Sequence, residues 1–469
     1  MQQVISDGHW DLQQIAHRIW QLPVLILFPI ITLKLTSVDL FAGYKFIFPL
    51  IAMLIPVVLY AAYKKIFGGE NALLSGTIFL SQLIFFSWIS VTLKMILTEL
   101  FLALILLLIF NFKITSNQTI LNILYIMCSL GLICSHYGTA FIFMFALAAY
   151  MVITMIMKIY APKMTFINPI NPFGALLYIL LSVAWFVYTS IGSSDNTAFG
   201  GLTTGFVRLN DLILDVIRGS GLGDSSYAVQ ILQSGMNIDI QLIKFVYVSF
   251  AALIAIGLMS RLFKQLYSKC VHGYDILSFI FFVIFIVSNV SGGLSYGGGR
   301  ILSIASLLLT PYAIVGLRES IRYVWDFACT FRADLKHRFT KTNLTNITKH
   351  TAIIYVSLFF LINTGVLTEI VLQENSAGSV FISAPRIMNN GDLSELEALD
   401  RYTLDIEDWQ CMNWIRRNMA SDTIYTDYHG RVKFWLLGIT YKAKLEGFGD
   451  PLIEYISPDR PFESDRYLY

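Results

Sequence analysis

Long apolar stretches separated by short polar loops recur along most of the chain. Residues 45–63, 137–157 and 274–290 are examples, each long enough, or nearly so, to cross about 30 Å of hydrocarbon. A backbone in lipid must satisfy its own hydrogen bonds, so each stretch is predicted to be an α-helix. Apolar segments are predicted at 21–36, 45–63, 71–88, 95–111, 119–134, 137–157, 173–191, 242–260, 274–290, 301–317 and 351–368. The pattern predicts an all-α polytopic membrane protein with about 10–11 transmembrane helices.

Composition and charge agree with this interpretation. Charged residues make up 14% of the chain, whereas soluble domains carry roughly 25%. The net charge of +2 is too small to suggest nucleic-acid binding. Lysine and arginine are concentrated in alternate loops, at 64–65, 113, 158–163, 261–269 and 318–350. By the positive-inside rule those loops are cytoplasmic, which predicts a multi-pass protein of the plasma membrane.

The pattern divides the chain into three parts. Residues 1–44 form an extracytoplasmic or interfacial segment, in which 21–36 fits an interfacial helix as well as a span. Residues 45–368 form the transmembrane domain, with an outer loop at 192–240 and a basic cytoplasmic loop at 318–350. The polar tail, 369–469, is predicted to be a small α/β extracytoplasmic domain, with a strand-like run from Thr423 to Thr426. The chain ends in a further strand-like run, which leaves open whether this domain is complete.

Glu99 is the only acidic residue before residue 192 that the pattern places inside a membrane segment, about two turns from the outer end of its helix. An ionised carboxylate at that depth is unfavourable unless it faces a polar cavity or a cation. The functional interpretation is a carboxylate that lines an outward-facing active site. The alternative is a structural pair, or a protonated acid that packs between helices.

Two outer loops contain candidate phosphate-binding groups. His136 lies in the very short loop Ser135-His136-Tyr137, and a histidine there could donate to a phosphate oxygen or transfer a proton. Arg300 follows three glycines in SYGGGRIL (295–302); glycine permits close backbone approach and arginine presents a planar set of donors. Tyr137 and Tyr296, in the same two loops, complete the set. The alternatives are an interfacial His-Tyr pair and an arginine that extends toward the membrane surface.

Asp7 and Asp11, in the run SDGHWD, could supply a general base near the N-terminus. The alternative is that they belong to a solvated tail. The five cysteines show no CxxC or CxxH spacing, so no metal site is predicted from them.

Several stretches together resemble the GT-C superfamily of membrane glycosyltransferases, and within it an uncharacterised group of archaeal multi-pass proteins. The resemblance is carried by residues 45–111, by SHYGTAF (135–141), by GGGRILSIASLLLTP (297–311), and by a tail of the WIRRN…IYTDY type. It covers most of the chain, although its motifs are apolar frames with single polar residues. It implies a GT-C-like arrangement of the helices.

The resemblance implies transfer of a sugar from a polyprenyl-phosphate donor to a glycan or protein acceptor on the outer side of the membrane. By resemblance, Glu99 matches a second conserved acidic position, Arg300 the residue that meets the lipid phosphate, and His136 a short-loop histidine. A divalent cation is left open as a cofactor.

The N-terminus departs from the superfamily pattern. Its members have a first transmembrane helix followed by an acidic motif, and Met1 begins beyond that place, so Asp7 and Asp11 are the only acids near it. We therefore expect an N-terminally short chain, a fragment, or an inactive transferase. The rival class is a non-catalytic membrane protein, either a lipid-linked sugar transporter or a scaffold.

Overall fold

The helical framework is seen in a computed structural model. It describes residues 31, 46–85, 93–110, 117–167, 170–191, 238–290, 298–331, 341–367, 410, 424–426 and 453–455. Within these ranges the helices are α1 (Phe48–Phe67), α2 (Gly69–Leu80), α3 (Leu93–Phe110), α4 (Gln118–Ser135), α5 (Tyr137–Tyr160), α6 (Pro172–Ile191), α7 (Ile238–Ser268), α8 (Gly273–Val290), α9 (Gly298–Phe331) and α10 (Lys341–Asn363). The short strands are β1 (Thr165–Ile167), β2 (Cys270–His272), β3 (Ile424–Thr426) and β4 (Ile453–Tyr455).

Seven of the described helices are long and apolar enough to cross a membrane: α1, α3, α4, α5, α7, α9 and α10. Shorter apolar helices lie at Pro172–Val187 in α6 and Gly273–Val287 in α8. The chain is therefore a mostly helical, multi-pass membrane protein. The prediction of ten or eleven spans goes beyond these seven, and segment 21–36, apart from Ile31, lies outside the described residues.

Two helices occupy the interior of the bundle. In the most apolar window of each span, 78% of α9 and 67% of α3 is buried, compared with 33% of α1. Large apolar side chains on the outer helices remain exposed; Leu50 and Val57 of α1 are 68% and 62% exposed. Such a surface suits contact with lipid, where exposed apolar side chains carry no penalty.

Glycines bring α7 and α9 into backbone contact. A Cβ added at Gly257 would lie 2.1 Å from the carbonyl oxygen of Tyr312, and one at Gly316 would lie 1.9 Å from that of Leu253. Real Cβ atoms do not approach this closely. Small residues at such crossings let transmembrane helices gain van der Waals contact along their backbones.

The segment predicted as one helix over 71–88 is interrupted. Helix α2 ends at Leu80, Ser81 forms a turn, and residues 83–85 are again helical. The Ser81 hydroxyl donates to the Thr77 carbonyl at 2.6 Å. The backbone N–H of Leu83 donates to the hydroxyl of Tyr247 on α7 at 3.2 Å. A side chain from another helix therefore satisfies a donor that the interruption releases.

Ion pairs gather charged residues at one end of the bundle, here termed the basic end. Arg318 of α9 donates to Glu70 of α2 at 2.6 Å, and Lys349 of α10 lies 3.6 Å from the same carboxylate. Lys264 of α7 pairs with Glu319 at 2.8 Å. The positive-inside rule predicts that this end is cytoplasmic and that the opposite, outer end is extracytoplasmic.

Two short strands that the sequence did not predict, β1 and β2, join two connections between helices. β1, after α5, pairs in parallel with β2, after α7, in the register Thr165 to Cys270 and Ile167 to His272. In the tail, β3 pairs in parallel with β4, and β3 coincides with the predicted run from Thr423 to Thr426. Most of 369–469 lies outside the described residues, so the α/β domain stays a prediction.

The chain divides into two compact units. One comprises Met1–Thr368 with Ser376–Val380, and the other comprises Glu369–Asn375 with Phe381–Tyr469. All ten described helices belong to the first unit.

Candidate functional site

Glu99 is a buried carboxylate held between two central helices. It is the seventh residue of α3, about 9 Å along the axis from Leu93. Its residue surface is 5% exposed. The hydroxyl of Ser303, on α9, donates a short hydrogen bond to Glu99 Oε1. The carboxylate is therefore oriented by a neighbouring helix.

A polar row along α9 supports that contact. The Ser306 hydroxyl donates to the Ser303 carbonyl at 2.7 Å, and the Thr310 hydroxyl donates to the Ser306 carbonyl at 3.0 Å. Tyr63 of α1 reaches the same row, with its hydroxyl 2.6 Å from the Leu307 carbonyl. Buried hydroxyls that bond to their own helix satisfy their polarity without breaking the apolar packing.

Arg300 lies one helical turn from Ser303 along the same helix. α9 begins at Gly298, so Arg300 is in its first turn, at the end that lies opposite the ion pairs of Arg318. The structure thus places the Arg300 backbone about 4.5 Å in axial rise from the residue that holds Glu99. Its side chain lies outside the described residues.

His136 is buried and begins a helix. It is 3% exposed, and its Nδ1 accepts the backbone N–H of Thr139 at 3.1 Å as the N-cap of α5. The side chain at this position accordingly satisfies one of the donors that every helix start leaves unpaired. Because Nδ1 serves the cap, a contact to a phosphate would have to come from Nε2.

Glu99 and His136 lie on adjacent helices. A Cβ added at Gly131 of α4 would meet the Phe101 ring of α3 at 2.5 Å, so the two helices touch there. Glu99 is two residues before Phe101, and His136 is five residues after Gly131. Glu99 bonds to Ser303, and the described bond of His136 goes to Thr139. The sequence also predicts that Glu99, His136 and Arg300 converge in one outward-facing cavity, and these contacts leave that a prediction.

The other predicted site residues fall outside the described part of the structure. This holds for Asp7, Asp11 and Tyr296, and for the side chain of Tyr137, whose backbone begins α5. The outer loop, 192–240, is described only at residues 238–240.

A second polar centre, which was not predicted from the sequence, lies at the basic end. Asp275 of α8 is fully buried and forms a two-pronged ion pair with Arg261 of α7, with both N–O distances at 3.1 Å. Gln265 and Tyr312 also donate to this carboxylate. The Arg261 guanidinium stacks 4.6 Å from the centroid of the Phe67 ring. One carboxylate thus joins α7, α8 and α9.

His272 adjoins this centre. Its backbone N–H donates to Gln265 Oε1 at 3.1 Å, and its Nδ1 accepts the N–H of Tyr274 at 3.2 Å. Burial is the largest effect on its pKa, which is lowered from the usual 6.5; the charge of Asp275 acts against this, while Arg261 and Lys65 act with it. Nδ1 as an acceptor agrees with a neutral ring.

A sequence signal for the Asp275 centre did exist. Asp275 stands at the start of the apolar segment 274–290, and Arg261 stands just after the segment 242–260. Consecutive antiparallel segments bring such positions to the same membrane depth, and an intramembrane charge needs a partner there. The pairing of an acid and a base at equal depth predicts the contact.

Among the residues that the structure describes, no group of three or more His, Cys, Asp or Glu side chains could hold a metal ion.

Comparison with known proteins gives a family match. A family model described as "Predicted membrane protein (DUF2206)" matches residues 121–445. No curated protein matches the chain, and no solved structure matches it. The matched region extends from α4 into the polar tail and includes His136, Arg300 and Asp275.

Proposed function

The chain belongs to the family described as "Predicted membrane protein (DUF2206)", and we propose that this membrane protein is a GT-C-like glycosyltransferase. It would transfer a sugar from a polyprenyl-phosphate donor to a glycan or protein acceptor at the outer end of the bundle. The observation that carries the proposal is the buried carboxylate of Glu99, hydrogen-bonded to Ser303 one turn from Arg300. The sequence resemblance supplies the reaction class.

The reaction assigns a separate task to each group. A carboxylate takes the proton of an acceptor hydroxyl, whose oxygen attacks the anomeric carbon of the sugar. The bond from that carbon to the lipid phosphate oxygen breaks, and the phosphate leaves with the electron pair. Arg300, with His136 and the tyrosines Tyr137 and Tyr296, stabilises that charge. Glu99 orders the site, and Asp7 or Asp11 is the proposed base.

The arrangement along α9 favours surface chemistry. Glu99 and Arg300 belong to the outer part of the bundle. The Asp275 ion pair, which also contacts α9, lies toward the basic end. An anionic phosphate headgroup at the outer surface would meet Arg300 first.

The test is sugar transfer in isolated membranes supplied with labelled polyprenyl-phosphate sugars. Arg300→Ala is expected to lower transfer about 100-fold or more, since a donor to a developing charge contributes about 2.7–4 kcal/mol. Glu99→Gln is also expected to lower transfer, since it removes the carboxylate that orders the site. Arg322→Ala is the matched control on α9, because its side chain is 54% exposed at the basic end. Full transfer by both test variants would refute the assignment.

A second candidate is a transporter of lipid-linked sugars. The interruption after Leu80 of α2, inside an apolar segment, favours it, since transporters often bind substrates at broken helices. Product analysis separates the two functions. A transporter moves labelled lipid across the membrane without forming a new glycosidic bond, whereas a scaffold or an inactive transferase does neither.

A further inference from the structure

Two buried side chains at the outer part of the bundle carry polar atoms without hydrogen-bond partners in the described structure. They are Nε2 of Gln82, in the interruption after α2, and Oδ1 of Asn363, the last residue of α10. Each residue is 1% exposed. A buried polar atom left unsatisfied destabilises a protein, so each such atom calls for a specific explanation.

Tyr247 of α7 contacts a neighbour of each of the two residues. Its hydroxyl accepts the N–H of Leu83, the residue after Gln82, at 3.2 Å. Its ring lies 5.9 Å, centroid to centroid, from Phe359, whose carbonyl accepts Asn363 Nδ2 at 2.8 Å. Gln82 and Asn363 therefore each adjoin a residue that contacts Tyr247, near the place where α2, α7 and α10 meet.

Gln82 and Asn363 both lie in the outer part of the membrane-spanning bundle. Gln82 is thirteen residues beyond Gly69, the basic-end start of α2, or about 20 Å along a helix. Asn363 ends a helix of 23 residues that starts at the basic end, a length of about 35 Å. Both residues therefore lie at a depth that corresponds to the outer leaflet.

The unpartnered atoms are complementary in kind. Gln82 offers an N–H donor, and Asn363 offers a carbonyl acceptor. A ligand that satisfies both must accept and donate hydrogen bonds, and it must enter an otherwise apolar surrounding. Sugar hydroxyls do both, and a lipid tail delivers them to this depth. A charged phosphate alone could satisfy Gln82 but not Asn363.

We propose that Gln82 and Asn363 bind the sugar of a glycosylated lipid, at a site between α2, α7 and α10. The sugar could belong to the polyprenyl-phosphate donor or to a glycolipid acceptor, since both present the same hydroxyls. The donor alternative rests on the proposed function; the glycolipid alternative does not.

The experiment measures thermal stabilisation of the full-length protein in nanodiscs by lipids with and without a sugar. One arm compares polyprenyl-phosphate glucose, mannose and galactose with bare polyprenyl phosphate. The other compares hexosyl diacylglycerols with diacylglycerol. The wild-type protein is expected to show sugar-dependent stabilisation in at least one arm. Absence of it in both arms overturns the proposal, whether or not transfer is detected in membranes.

Gln82→Leu and Asn363→Leu test the residues themselves. Each is expected to weaken sugar-dependent binding about tenfold, which corresponds to one lost hydrogen bond at the upper end of its usual range. In nanodiscs without an added test lipid, each variant should be as stable as the wild-type protein or more stable, because an unsatisfied polar atom is removed. A purely structural role predicts the reverse, a loss of stability with unchanged binding, and that result also overturns the proposal.

Ser260→Ala is the matched control. The Ser260 hydroxyl is likewise buried without a hydrogen-bond partner among the described residues, but it is thirteen residues beyond Tyr247 on α7, or about 20 Å toward the basic end. It should leave sugar-dependent stabilisation unchanged. If internal waters alone satisfy Gln82 and Asn363, neither leucine variant will change the response to the sugar, which contradicts the proposal.

Discussion

The ion pair of Arg261 and Asp275 should respond unequally to removal of its two partners. The Asp275 side chain is 0% exposed, whereas that of Arg261 is 23% exposed. Arg261→Leu leaves a fully buried carboxylate without its cation, and breaking a buried pair in this way costs about 3–5 kcal/mol. Gln265 and Tyr312 still donate to the carboxylate, which places the expected loss at the lower end of that range.

Asp275→Asn should be milder. The guanidinium of Arg261 is partly exposed and can turn toward water, and its contact with the Phe67 ring, at 4.6 Å, persists. The asparagine oxygen can still accept one of the existing donors. The change then amounts to about one charge-assisted hydrogen bond, or roughly 1.5–3 kcal/mol.

The measurement is the free energy of unfolding of the wild-type protein and of both variants, obtained by titration with a denaturing detergent in mixed micelles. Arg261→Leu should lose about 1–2 kcal/mol more than Asp275→Asn. The double variant should be more stable than Arg261→Leu alone, because no uncompensated charge remains buried. The reasoning is refuted if Asp275→Asn lowers the free energy of unfolding as much as Arg261→Leu or more. It is also refuted if the double variant loses the sum of the two single losses.

Three other outcomes are expected. Gly257→Val should separate α7 from α9 and lower the unfolding temperature strongly, whereas Gly69→Ala, with a nearest contact of 3.8 Å, should lower it only slightly; equal melting curves would contradict the close packing. His136→Ala should lose about 0.5–2 kcal/mol of stability with the cap of α5, and His136→Asn should restore most of it; this fails if both substitutions are equally harmful. The pKa of His272 is lowered in the folded protein, so below about pH 6.5 the unfolded chain binds more protons than the folded protein does. The free energy of unfolding should therefore decrease as the pH falls from about 6.5 to the pKa of the folded protein. His272→Gln should reduce that slope in melting temperatures measured between pH 7.5 and 5, and an unchanged slope would contradict it.

Hydropathy predicted the helices well because a long apolar run in lipid has few alternatives. The described helices coincide with the predicted segments from 45–63 onward, although their ends differ. Helix α9 continues to Phe331, beyond the predicted end at 317. Hydropathy did not predict these last turns because they mix charged and apolar residues. Segment 71–88 is interrupted at Ser81, where the chain turns, and the Tyr247 hydroxyl of α7 accepts the backbone N–H of Leu83 beyond the turn.

The contacts between distant residues were harder to predict. Thr165 pairs with Cys270, 105 positions away, and three-residue strands carry too little pattern to be recognised. Glu99 could be singled out from its position in an apolar run, but its partner Ser303 is one of many serines in the spans. A hydroxyl in a membrane helix can bond to its own helix and so predicts no partner, whereas a charged side chain at that depth needs one. For that reason the sequence suggested Glu99 and Arg300 as candidates without suggesting what joins their helices.

The glycine crossing of α7 and α9 bears on how the protein is assembled in the membrane. Helices that insert independently associate afterward, and close backbone contact needs no long side chains to become ordered first. α7, α8 and α9 follow one another in the chain, so the crossing at Gly257 and Gly316 can form as soon as α9 has been inserted, before α10 is synthesised. The segment 238–331 would then serve as the early nucleus of biogenesis, onto which the earlier helices and α10 dock.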